Sequence, residues 1–200
     1  MQRVTIKQMK TLRLTLIFLA VMLVFPVISL AEEEASVNAA RAERVEQTKA
    51  TFPIRLSEKE KNTLALRCEK AQTNLSKIKI RLEARESIIS KKYELIELHL
   101  AAIQELLIAK QLDTSIIDLL LSNFQKLTNE HYLSFANYQL SLADSTELDC
   151  AADPQAFKAL IEDVRTKRQD FVSSINSIKD FSSTDLKTSF DALRTRLNSR

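Results

Sequence analysis

Two cysteines, Cys68 and Cys150, and two histidines, His99 and His131, carry most of the reactive or metal-ligating potential in this 200-residue chain. Disulfide exchange favours Cys-x-x-Cys, and zinc favours cysteines and histidines in close clusters; neither spacing occurs. On a helix, metal ligands stand three or four residues apart. At those offsets His99 has only Leu95, Ile96, Ala102 and Ile103, and His131 only Leu127, Thr128, Ser134 and Phe135. There is no Glu-x-x-His, so a ferritin-like metal centre is not expected. Serines and carboxylates are plentiful, but none falls in a nucleophile–base pattern, and a chain without glycine cannot build a nucleophile elbow. The expectation is a protein that is not an enzyme and uses no cofactor or metal.

What remains for the cysteines is to pair with each other, and that requires an oxidising compartment. The N-terminus supplies the route. Arg3, Lys7, Lys10 and Arg13 precede an apolar run from Leu14 to Phe25, and Ser29-Leu30-Ala31 places small residues where a signal peptidase cuts. Residues 1–31 are therefore expected to be a cleaved signal peptide, giving a secreted or periplasmic protein. The competing reading is a retained membrane anchor, since Leu14 to Ala31 spans 18 residues and a bilayer takes about 20. Four of the 29 basic residues and none of the 26 acidic ones lie in this segment, so the remainder has 25 against 26, a formal charge of −1. That balance gives no nucleic-acid footprint.

With no glycine and three prolines, hairpins and phosphate-cradling loops are disfavoured and an all-α fold is expected. Residues 32–56 read as a flexible or partly helical spacer. The helical domain, 57–200, opens at Ser57, with Glu60 placed to complete a capping box. A first long helix carries Leu64, Cys68, Ala71, Leu75, Ile78 and Leu82, then Ile89, Tyr93, Ile96, Leu100, Ile103 and Leu107, at coiled-coil intervals. The phase slips at Arg85 and Glu86, as in a stutter. A turn at Gln111 to Ser115, with Asp113 or Thr114 as cap, leads to a second helix with Ile117, Leu120, Phe124, Leu127, His131, Phe135, Tyr138 and Leu142 on its seam. Asp153-Pro154 starts a third. Ser182 to Asp185 interrupts its pattern, predicting a kink or short break before a terminal helix. The expected architecture is an elongated antiparallel three-helix bundle.

The cysteines fit that layout, for Cys68 lies 44 residues before Leu112 and Cys150 lies 38 after it. A hairpin turning there brings them to one end, provided Ser145 to Asp149 is extended and makes up the difference. The same register faces His131 with residues between about 87 and 94, near the polar step. That predicts a buried polar layer fixing helix register, or else a pH-responsive switch. From Ile88 onward the apolar face of the first helix widens, with Leu95, Leu98 and Leu106 forming a second stripe. Such a face either meets two neighbouring helices or, left uncovered, receives a partner.

Leu66-Arg67-Cys68, the long charged helix, Leu112-Asp113-Thr114-Ser115, and Asp149-Cys150 followed by Phe157 and Arg165 resemble a set of uncharacterised exported two-cysteine helical proteins of candidate-phyla bacteria, over roughly residues 64–180. Those proteins often carry glycine before the Asp-Thr turn, where this chain has Gln111. The resemblance implies a secreted or surface helical protein and no activity. Two functions are expected from the whole reading. One is an exported interaction or spacer module of the cell envelope or extracellular space, binding a protein partner or itself. The other is a periplasmic holdase-type chaperone or amphiphile-binding protein.

Overall fold

The computed structural model describes residues 30–198, with side chains from 35 to 197. The signal expected over 1–31 lies outside these residues, apart from Leu30 and Ala31, which begin the first helix. Residues up to Arg44 form one unit and Val45 onward another. Every regular element among the described residues is helical: α1 (Leu30–Thr51), α2 (Glu58–Ala109), α3 (Ser115–Glu147), α4 (Pro154–Asp180), a π-helical turn (Phe181–Asp185) and α5 (Leu186–Asn198). The segment read as a flexible or partly helical spacer thus carries α1. In the second unit, Val45 is buried against Ala156 and Leu160, and Lys49 lies 3.5 Å from Asp153.

The helix starts follow the local chemistry. Ser57 Oγ accepts from the Glu60 amide at 3.4 Å while the Glu60 carboxylate accepts from the Ser57 amide at 2.8 Å, closing the capping box. Hydrogen bonding to Ser57 holds the Glu60 carboxyl below the usual carboxylate range. Asp153 accepts from the Ala156 amide at 2.9 Å, and Pro154 occupies the first position of α4, where no amide is needed. Between α2 and α3, Asp113 Oδ1 accepts from the Ser115 amide at 3.0 Å, whereas Thr114 turns its hydroxyl to Asp118 at 2.9 Å. Of the two candidate caps, Asp113 is the one bonded to the backbone.

The turn itself solves a problem created by the absence of glycine. Gln111 takes a left-handed conformation, φ 54°, and the amides of Gln111 and Leu112 bond to the carbonyls of Ile108 and Leu107 at 2.9 Å each. This is a Schellman close with glutamine in the position that glycine usually fills.

α2 and α3 run antiparallel, as Gln104–Asp118, Glu97–Gln125 and Glu83–Gln139 hydrogen bonds show in sequence order. α4 runs antiparallel to α3, with Tyr138 tilted against Phe171 and Phe124 stacked on Phe181. Buried positions on α2 are Leu75, Leu82, Glu86, Tyr93, Leu100 and Leu107. They recur every seven residues on either side of a single step of four, from Leu82 to Glu86. The helix runs unbroken through this stutter.

Two expectations change in detail. Ser145 to Asp149 is not an extended strand: α3 continues to Glu147, and only Leu148 at its end is extended (φ −70°, ψ 137°). Cys150 still reaches Cys68, because it opens the turn into α4 and is followed by a reversal that Asp149 stabilises by accepting from the amides of Ala151 and Ala152. Nor does the chain break at Ser182. The Leu186 amide bonds to the Phe181 carbonyl, five residues back, so the helix widens without losing its hydrogen bonds. The interval of five between the core residues Phe181 and Leu186 would rotate an ordinary helix off its apolar face; the wide turn restores the phase.

Candidate functional site

Besides the small cluster of Val45, Ala156 and Leu160, the interior holds two larger apolar clusters. One gathers Leu75, Leu82, Tyr138, Leu142, Cys150, Phe157, Val164 and Phe171; the other gathers Tyr93, Leu100, Leu107, Ile117, Leu120, Phe124, Ile178 and Phe181. Between them sits a polar layer. His131 is fully buried, with Nε2 3.1 Å from both oxygens of Glu86 and Nδ1 3.1 Å from Ser174 Oγ. Ser134 Oγ lies 2.9 Å from the same Ser174 hydroxyl. With Glu86 as acceptor, Nε2 carries a proton. Tyr93 and Phe171 flank the imidazole, each with its ring centre 5.2 Å away. Burial, with the nearby Glu86 carboxylate adding to it, pushes the Tyr93 phenol up to about 12.

Glu86 falls one residue short of the expected 87–94 window for the partner of His131. The pair stands one residue from the spacing of Cys68–Cys150, while the flanking pairs Glu83–Gln139, Glu97–Gln125 and Gln104–Asp118 keep one common spacing on both sides of the layer. The layer coincides with the stutter, where a carboxylate on the seam acquires its buried partner. No third carboxylate, cysteine or histidine joins these two, and among the described residues no group of three such side chains is placed to hold a metal.

Cys68 and Cys150 form the disulfide, with Cα atoms 5.7 Å apart, inside the range such a bridge needs. One turn along α2, the Gln72 side-chain amide donates to the Leu148 carbonyl, fixing the end of α3 beside the bridge.

The wide face of α2 has a different fate from the core. Ile96 and Ile103 pack against the second cluster, together with Leu186, Phe190 and Leu193 beyond the π turn. Leu95, Leu98 and Leu106 do not join them and remain 54%, 63% and 55% exposed, with Ile88 on the same stripe at 60%. His99 also lies exposed beside this stripe. The three leucines singled out by sequence are thus brought together along one helix, not drawn into the interior. No helix among the described residues is long and apolar enough to cross a membrane.

Neither Arg81 and Arg85 on α2 nor Arg168 on α4 carries a functional signal in the sequence alone; the structure sets all three along one groove. Their spacing on each helix is readable in the sequence, but which helix faces them is not. Comparison of the chain with protein-family models, with curated proteins and with solved structures finds no match.

Proposed function

We propose that this chain is an exported, non-enzymatic interaction module: an antiparallel three-helix bundle behind a cleaved signal peptide that self-associates through the outer stripe of α2. The observation that carries the reading is the exposure of Leu95, Leu98 and Leu106 by more than half on a helix whose other apolar face is already satisfied. A contiguous apolar stripe of this kind on a protein surface usually marks a partner site. The disulfide supports an extracytoplasmic location, because such bridges persist where the environment is oxidising.

The flanking charges favour a second copy as the partner. Lys91, Leu98 and Glu105 follow one another at intervals of seven, close to one line along the helix, and both charged residues are exposed. Neither takes an ion pair or hydrogen bond among the described residues. Two copies of α2 crossing antiparallel about Leu98 set Lys91 against Glu105 of the partner subunit, and do so twice by symmetry.

Sedimentation velocity on the mature chain tests this. The wild type is expected to dimerise, Lys91→Glu to weaken dimerisation at least tenfold through like-charge contacts, and the Lys91→Glu/Glu105→Lys exchange to restore it. Leu98→Glu is expected to abolish the dimer with little change in melting temperature. A chain that stays monomeric at every concentration, or a charge exchange that fails to rescue, defeats the reading; a large fall in melting temperature for Leu98→Glu assigns that side chain to the core.

A further inference from the structure

N-terminal to that stripe, α2 and α4 are splayed, leaving a groove of about 540 Å³ between them. Its floor is apolar: Leu82, Ile89, Val164, Phe171 and Ile175, with Tyr138 from α3 beneath. Its rim is cationic, with Arg81 and Arg85 from α2 and Arg165 and Arg168 from α4. No carboxylate lines it. Arg165 is held by Glu162, at 2.7 and 2.8 Å, and Glu162 also takes Lys158 at 2.7 Å. Arg81, Arg85 and Arg168 make no hydrogen bond or ion pair among the described residues.

Like charges at i and i+4, as in Arg81 and Arg85, disfavour a helix, and Arg168, lining the same groove from α4, adds to the repulsion. Apolar walls also strengthen the field of charges that line a cleft. The arrangement therefore gains from an anion, and the floor beneath it gains from hydrocarbon. We propose that this groove binds a single-chain anionic amphiphile of the fatty-acid type, with its carboxylate among Arg81, Arg85 and Arg168 and its chain laid along Phe171 and Ile175. Arginine forks match a carboxylate in two-point contact. The size selects the class: small-ligand sites run from about 300 to 1,000 Å³, whereas one turn of a helix 10–12 Å across already fills about 500 Å³. An acidic helical peptide is too large for this groove.

The inference goes beyond self-association and does not depend on it. The test is calorimetric titration of the mature, oxidised chain with laurate below its micellar concentration, alongside monolaurin, which has the same chain without the charge, inorganic phosphate, and vesicles rich in phosphatidylglycerol. Laurate is expected to bind one per chain, at least tenfold more tightly than monolaurin or phosphate, and to weaken with added salt. Arg81→Gln/Arg168→Gln is expected to lose at least tenfold in laurate affinity while melting no lower than the wild type, since it relieves repulsion. Absence of laurate binding, equal binding of monolaurin or phosphate, or unchanged affinity in the double variant overturns the proposal. Binding of vesicles without binding of laurate overturns it too, and assigns the arginines to a membrane surface instead.

Discussion

At the scale of single residues, Glu86 and His131 decide more than their number suggests. A carboxylate removed from water is costly, and the interactions that offset the cost here come from the His131 imidazole, itself supported by Ser174 and Ser134, and from the Ser90 hydroxyl, which donates to Glu86 Oε1 at 3.1 Å. Removing one partner should therefore hurt far more than removing both. His131→Leu is expected to lose about 3–5 kcal/mol in denaturant unfolding, while Glu86→Leu/His131→Leu is neutral or gains stability, as replaced buried pairs often do. Equal losses from the single and double variants would refute the pairing. Only part of this was legible in the sequence. His131 stands on an apolar seam and Glu86 on a phase slip, so each was visible as an anomaly on its own helix. Their meeting depends on a register fixed by the disulfide and by the geometry of the turn, and an error of one residue is enough to misplace the partner.

At the scale of elements, the chain manages three irregularities without glycine. The step of four from Leu82 to Glu86 changes the phase of α2, the π turn at Phe181–Asp185 changes that of the α4–α5 stretch, and Gln111 closes α2. The first was readable because a stutter is a property of spacing alone. The second was visible only as a weak stretch: serine and threonine at 182–184 argue against a regular helix, but a break and a widened turn leave the same trace in sequence. The structure keeps the hydrogen bonds, and Ser182 bonds back to the Ile178 carbonyl at 2.8 Å, a pattern that accompanies bent helices. The third carries a direct cost, because a left-handed residue with a Cβ is disfavoured by about 1–2 kcal/mol. Glycine removes that cost but has more freedom to lose on folding, about 0.5–1 kcal/mol. Gln111→Gly is expected to stabilise the protein by about 0.5–1 kcal/mol in chemical denaturation, the balance of those two effects. Destabilisation would mean that the glutamine side chain holds the turn by a contact of its own.

At the scale of the molecule, the disulfide is a covalent constraint on the fold that is compatible with an oxidising compartment. It closes 82 residues, which restrains the unfolded chain by roughly 4–5 kcal/mol in the loop-entropy model. Its position concentrates the effect. The bridge lies at the edge of the apolar cluster that contains Leu75, Leu142 and Cys150 itself, where α3 gives way to the turn into α4, and Gln72 holds the carbonyl side of that segment. The opposite end of the α2–α3 hairpin is closed by five residues of chain between the helices and does not need it. Reduction should therefore loosen the end near Cys68 first and lower the melting temperature by roughly 10–15 °C, taking a few degrees for each kcal/mol in a chain of this size. Protein recovered from the exported fraction is expected to begin at Glu32 and to yield one non-reduced peptide pair joining Cys68 to Cys150. Hydrogen exchange before and after reduction should show protection lost around Gln72 and Leu148 but kept around Leu107 and Ile117. Two free thiols, a bridge between chains, or Met1 retained on a membrane fraction would each break the link between export and fold. Uniform loss of protection along α2 would show that the bridge supports the entire hairpin, not one end of it.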